Sequence, residues 1–212
     1  MALVVDGKVQ AALSLDHGET HSRFLLEAVD SILKLNRMAV SDIDAYAVTR
    51  GPGSFTGLRI GISTVKGLAF AAGKPIVGIS SLEALAHQAG GDAPLVCPMM
   101  DARRNEVYWR IYHRQDGLLI THMEEQVGPV EHMADRIDRP CVVIGNAATL
   151  YAEKLLQRTR QAIQWTPAIY NDIHPAMVAE LAWRRWPWGQ QDDEETLIPV
   201  YLRKSDAELN RK

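Results

Sequence analysis

Cysteine is nearly absent from this chain: two in 212 residues, too few for the disulfide framework of a small secreted scaffold. Cys97 in Pro94-Leu95-Val96-Cys97 and Cys141 in Cys141-Val142-Val143-Ile144 sit in apolar, strand-like settings, which predicts buried, reduced thiols. No apolar run approaches the roughly 18 residues of a membrane span. Met1-Ala2-Leu3-Val4-Val5-Asp6-Gly7-Lys8 shows neither a charged leader nor a cleavage site, so the expectation is a cytoplasmic protein with no membrane contact. Neither sign of charge dominates: 23 Lys and Arg against 26 Asp and Glu give a net charge of −3. That balance argues against a chain that grips nucleic acid alone, since neutralising phosphates takes a clear basic excess or a basic face. What is present is ordinary for a globular protein, 47% hydrophobic and 23% charged residues, in a length that allows one large domain or two small ones.

Leu3–Val5, Asp6-Gly7 and Val9–Leu15 read as a hairpin, because Asp-Gly readily takes the positive φ angles of a two-residue turn. From about Ser22 the period changes. Leu25, Ala28, Val29, Ile32 and Leu33 recur at helical spacing, with Arg23, Glu27, Asp30 and Lys34 opposite them. A strand over Ile43–Val48, a glycine-rich turn, a helix over Leu58–Ala71 and a strand over Pro75–Ile79 form a β-α-β unit. Ser80 and Glu83 then have capping-box spacing before a short helix to about Ala89. Gly90-Gly91-Asp92-Ala93-Pro94 ends this pattern, so the expected division is into residues 1–90 and 91–212. Beyond it come strand-like runs at Leu95–Met100, Val107–Tyr112 and Leu118–Met123, a helix Val130–Ile137, a strand Val142–Ile144 and a helix Ala147–Leu156. Each half reads as strands, helix, strand, helix, which suggests a duplicated α/β architecture.

Between a strand and a helix lies Arg50-Gly51-Pro52-Gly53-Ser54-Phe55-Thr56-Gly57-Leu58-Arg59-Ile60-Gly61. Such a segment is either a phosphate cradle at a helix N-terminus or a tight strand-to-helix turn. It is not a Walker loop, because Leu58 stands where a Lys must follow the glycine, and it lacks the dinucleotide fingerprint. The helix after it is filled with small residues: Gly57, Gly61 and Gly67 with Ser63, Thr64, Ala69, Ala71 and Ala72. A glycine inside a helix costs about 1 kcal/mol against alanine. Close approach of another backbone offsets such a loss, and that backbone belongs either to the same chain or to another subunit.

Gly51-Pro52-Gly53-Ser54-Phe55-Thr56-Gly57-Leu58-Arg59-Ile60-Gly61 resembles the signature of the TsaB (YeaZ) family. The similarity extends in order through His21-Ser22 with Leu25-Leu26, Gly78-Ile79-Ser80-Ser81-Leu82-Glu83-Ala84-Leu85-Ala86, Asp101-Ala102-Arg103-Arg104-Asn105-Glu106-Val107-Tyr108, and Pro199-Val200-Tyr201-Leu202-Arg203 with Ala207-Glu208. The resemblance implies an actin- and sugar-kinase-like (ribonuclease-H-like) α/β fold of two related halves. It implies a non-catalytic partner of the enzyme TsaD, which transfers the threonylcarbamoyl group when threonylcarbamoyladenosine is made next to the tRNA anticodon; the ATPase TsaE joins the assembly. The N-terminal half would then pair with TsaD, or with a second copy when TsaD is absent, and tRNA would be met only through the complex. On this reading the pairing surface is Leu25, Leu26 and Val29 of the first helix with Gly57, Gly61, Thr64, Val65, Leu68 and Ala69 of the second. The resemblance also implies a strand ending near an Asp-Thr pair ahead of Ala2-Leu3-Val4-Val5. Nothing in this sequence matches it, so the expected fold is short of its first strand and of a phosphate-loop Asp.

The rival class is a sugar-kinase-like ATPase or phosphotransferase using the Gly51–Gly57 turn, which needs complete phosphate loops; Ile144-Gly145-Asn146-Ala147-Ala148 resembles the second one with a single glycine. A peptidase would need a nucleophile and base, and Ser54 has no G-x-S-x-G elbow around it. His17-Gly18-Glu19-Thr20-His21 reads as a loop, not a metal pair, since the zincin pattern needs Glu directly after the first His. Asp101 and Glu106 read as turn and strand-edge residues, the acidic Asp192-Asp193-Glu194-Glu195 as a solvated loop, and Trp183, Trp186 and Trp188 as helix aromatics docked on the core. No catalytic, cofactor-binding or metal-binding residue is assigned.

Overall fold

The computed structural model describes residues 1–15, 22–186, 189, 191–192 and 195–203. Asp6 and Gly7 adopt φ angles of 50° and 72°, and this turn joins β1 (Ala2–Val5) to β2 (Lys8–Ala12) as the antiparallel hairpin expected of Asp-Gly. α1 (Ser22–Leu35) follows the helical period: Ala28, Ile32 and Leu33 are buried, and Asp30 pairs with Lys34 at 2.6 Å on the wet face. β3 (Tyr46–Gly51) begins three residues after Ile43, because Val40–Asp42 wind into a 3-10 turn whose Asp42 carboxylate accepts the Ala39 N–H at 2.8 Å. α2 (Phe55–Ala72) begins three residues before Leu58. Ser54 caps it, its Oγ accepting the Gly57 N–H at 3.3 Å, and Gly73 ends it in the left-handed region at φ 62°. β4 (Ile76–Ser80) then lies parallel to β3.

The next elements are α3 (Ser81–Gln88), β5 (Leu95–Arg103), β6 (Glu106–Gln115), β7 (Leu118–Gly128), α4 (Val130–Ala134), β8 (Cys141–Ile144), α5 (Asn146–Leu150), α6 (Ala152–Arg158) and β9 (Ile163–Trp165). Their strands form one sheet in the order β7-β6-β5-β8-β9, with β5 antiparallel to β6 and parallel to β8. As the central strand, β5 buries both faces. Leu95, Cys97 and Met99 pack with Val130, Met133 and Leu155, while Val96 packs with Leu85, Ala86 and Ala89 of the α3 region. Each such apolar side chain stabilises the fold by about 1.5–3 kcal/mol relative to exposure. Cys97 and Cys141 are free and buried, and their mutual hydrogen bond together with burial pushes the Cys97 thiol up. Two expected helices are shorter than the sequence pattern suggests: α4 stops at Ala134, and the helix expected over Ala147–Leu156 breaks at Tyr151, where φ is −111°.

The chain forms two units, Met1–Ser80 with His174–Val200, and Ser81–Ile173 with the chain from Tyr201 on. This departs from the expected division at residue 90. α3 packs on β5, β6 and β7 and so joins the second unit, whereas α7 (Pro175–Arg185) packs on β1, β2, β3 and β4 and so returns to the first. An apolar helix face settles on the sheet that covers it, and a Gly-rich loop in the sequence does not mark where that happens. Within the first unit, Ile62, Ala69, Ile76 and Leu197 form a core cluster with Tyr46, Val48 and Val65 against it. Its four strands make two separate pairs, β1-β2 and β3-β4.

Candidate partner-binding surface

α1 and α2 are neighbours within the first unit. Leu26 is 55% exposed, and Leu25, Val29, Gly57, Gly61, Thr64, Val65 and Leu68 are half-buried, so side chains from both helices remain partly open to solvent. Ala69 is different. It is 0% exposed and enclosed with Ile62, Ile76 and Leu197, which makes it a core residue with no surface to offer a partner. The small-residue pattern misplaced it because alanine suits a helix-sheet contact as well as a helix-helix contact. The pattern also passed over Leu35 and Phe70, which are 83% and 74% exposed on the same two helices. Their only signal in the sequence is a large apolar residue off the buried stripe.

The glycines of α2 are the informative feature. A Cβ built on Gly61 would meet only the Val48 Cγ2, at 3.8 Å, and one on Gly67 would meet nothing within 4 Å among the described residues. Gly57 would meet only the Ser54 side chain, at 3.4 Å. No backbone of the described chain comes close enough to require glycine at these three positions. Of the two explanations for a glycine-rich helix, close packing inside the chain is therefore ruled out for the described residues.

The turn before α2 has its counterpart in the second unit. Gly51 has φ 119° and Gly145 φ 115°, values that L side chains rarely adopt, and each is pressed by a carbonyl: Val200 lies 2.5 Å from a Cβ on Gly51, and Met99 crowds one on Gly145. The Val200 N–H also donates to the Arg50 carbonyl at 2.7 Å. Beyond the turn, the Arg59 guanidinium stacks 3.9 Å above the Phe55 ring. Burial raises the Tyr46 phenol at the start of β3.

Other candidate residues resolve into structural roles. The Asp101 carboxylate accepts the Arg103 N–H at 2.9 Å, and Glu106 pairs with Arg203 at 3.5 Å, in a turn where Arg103, Arg104 and Asn105 all have positive φ. Asp192 corrects the reading of a solvated acidic loop, since its N–H donates to the Ile76 carbonyl and its carboxylate accepts the Gly78 N–H, both at 2.8 Å. Asp193 and Glu194, like His17, His21 and Trp188, lie outside the described residues. Trp183 is 40% exposed, with its ring centroid 6.1 Å from that of Trp186 and the two rings tilted at 56°, while Val178, Leu181 and Ala182 are the buried residues of α7; the aliphatic face does the docking expected of the aromatics. Among the described residues no three His, Cys, Asp or Glu side chains are placed to share a metal ion, and no helix is long and apolar enough to cross a membrane.

Two α/β units, each with a hairpin, a parallel strand pair and a glycine turn between strand and helix, define the actin- and sugar-kinase-like class of fold. The family model described as TsaD, tRNA N6-adenosine threonylcarbamoyltransferase, matches residues 16–211. The tRNA threonylcarbamoyladenosine biosynthesis protein TsaB of Bacillus subtilis (strain 168) is 34% identical over 198 residues, 90% of this chain and 82% of its own length. TsaB of Escherichia coli (strain K12) is 42% identical over 127 residues, 59% of this chain and 54% of its own. The solved structure of YeaZ from Pseudomonas aeruginosa superposes with a TM-score of 0.76 at 32% identity, covering 95% of this chain and 92% of that one. The chain belongs to the TsaB (YeaZ) family.

Proposed function

We propose that this chain is a non-catalytic partner of TsaD in making tRNA threonylcarbamoyladenosine, and that the α1–α2 face of its first unit is where TsaD binds. The family relatives are named for that biosynthesis. The observation that carries the surface is the set of glycines at 57, 61 and 67, which no close backbone contact among the described residues explains. A helix that gives up about 1 kcal/mol at each of these positions regains it when a partner helix lies against the bare backbone. Leu25, Leu26, Val29, Thr64 and Leu68 supply the apolar surround. When TsaD is absent the same face pairs two copies of the chain, and TsaE, the ATPase, joins through the assembly. The net charge of −3 fits a protein that meets tRNA only through its partners.

The test is reconstitution. TsaD, TsaE, tRNA and the small substrates should form threonylcarbamoyladenosine when this chain is added and little without it, and this chain alone should form none. Equal product with and without the chain would contradict the proposal.

A further inference from the structure

β7 is an outer strand of the five-stranded sheet, and its pairing with β6 slips at two places. At the second slip Ile111 faces Met123 and Tyr112 faces Thr121, so β7 carries one residue more than β6 there, and that residue is His122. A bulge of this kind re-aims the side chains around it. Met123 packs against the core cluster that holds Ile111, while His122 lies against His113, the next residue of β6 on the face of Ile111.

The two rings meet nitrogen to nitrogen. His113 Nε2 and His122 Nδ1 are 2.9 Å apart, with ring centroids at 4.1 Å and planes inclined at 67°. His122 is exposed and His113 half-buried, so solvent reaches the pair. The charged side chains that act on His113, Arg139 and Asp138, hold each other at 3.0 Å and cancel. An arriving cation meets two nitrogen ligands and no net positive charge from these neighbours.

The spacing selects the ion. Imidazole nitrogens bind first-row metal ions at about 2.0–2.1 Å, and two such bonds to nitrogens 2.9 Å apart close at an angle of about 90°. Adjacent ligands of a square-planar or octahedral ion make that angle. A tetrahedral ion such as zinc asks for nitrogens about 3.3 Å apart.

We propose that His113 and His122 form a two-imidazole chelate for a divalent ion of tetragonal preference, nickel(II) or copper(II), bound through Nε2 of His113 and Nδ1 of His122 with water in the remaining positions. In the metal-free pair one ring keeps its proton on the nitrogen that faces the other. On binding, that ring adopts its other tautomer, with the proton on the outward nitrogen, so both lone pairs face the ion and no net proton is lost.

The test titrates nickel(II) chloride into the intact chain at about pH 8, where both imidazoles are neutral. Calorimetry should show a site of one ion per chain, and amide signals of His113 and His122 should broaden first in the NMR spectrum. Either His113→Gln or His122→Gln should weaken that site at least about tenfold, because the remaining imidazole no longer binds as part of a chelate. The doubly substituted chain with His17→Gln and His21→Gln, which removes the other closely spaced pair in the sequence, should keep it. Affinity unchanged by His122→Gln, loss of the site with His17 and His21, or broadening centred on other amides of the parent would each overturn the proposal. The broadening is read on the parent chain, so it decides the matter even if a variant folds poorly.

Discussion

The N–H of Gly78 donates to the carboxylate of Asp192 at 2.8 Å, a bond across 114 positions of sequence that ties the segment after α7 to the outer edge of β4. The Asp192 N–H completes the clasp on the Ile76 carbonyl. Hydrogen bonds to a charged group contribute roughly 1.5–3 kcal/mol. Asp192→Ala should therefore destabilise the first unit by about 1–2 kcal/mol in urea unfolding at neutral pH, a partly exposed site giving the lower end. A midpoint equal to that of the parent would mean the clasp contributes nothing.

Ala69 and Leu26 should separate core from surface. An unpaired charge forced into the Ile62, Ile76 and Leu197 cluster costs several kcal/mol. Ala69→Arg should lose cooperative unfolding near room temperature, whereas Leu26→Arg, at a side chain 55% exposed, should melt within a few degrees of the parent. Circular dichroism on both variants decides it, and a well-folded Ala69→Arg would contradict the assigned core.

Gly61→Ala should move stability and association in opposite directions. The Cβ has room in this chain, and helix propensity favours alanine by about 1 kcal/mol, so the isolated chain should become more stable by roughly 0.5–1 kcal/mol. The same methyl should weaken pairing with TsaD or with a second copy, because it holds the facing helix away. Greater stability with undiminished pairing would remove the partner's claim on the glycine.

His113 and His122 couple stability to acid. Their ring nitrogens lie 2.9 Å apart on β6 and β7, a contact that requires a neutral imidazole. Partial burial, then His122 and Arg139, lower the His113 pKa, against a smaller opposing pull from Asp138. A histidine with a depressed folded pKa binds its proton more tightly when unfolded. Its contribution is present above the unfolded value near pH 6.5 and is lost as the pH falls. Stability measured between about pH 7 and 5 should fall with acid, and His122→Ala should flatten that slope. An unchanged slope in the variant would assign the acid sensitivity elsewhere.

Much of the fold is legible in the residues, and the reasons differ by element. The Asp-Gly hairpin and the Leu25–Leu33 stripe are local patterns with local causes, and both elements form there, although β2 ends at Ala12, three residues short of the expected Leu15. The start of α2 was legible in principle, because Ser54 is a good N-cap, but the apolar period begins only at Leu58 and hides it. The return of α7 to the first unit and the Asp192 clasp depend on partners more than a hundred residues away, and no short-range pattern carries them. The candidate surface was partly legible: helical spacing found the two helices, while separating Ala69 from its neighbours needed the position of Ile76 and Leu197.

The most direct test of the partner reading is sedimentation of this chain mixed with TsaD, comparing the parent with Leu26→Arg. Burying the arginine in the α1–α2 contact should cost about 3 kcal/mol or more, which is at least about a hundredfold in affinity. The account predicts that the parent co-sediments with TsaD and that Leu26→Arg, equally folded, does not at the same concentrations. Co-sedimentation of the variant with undiminished affinity would contradict it.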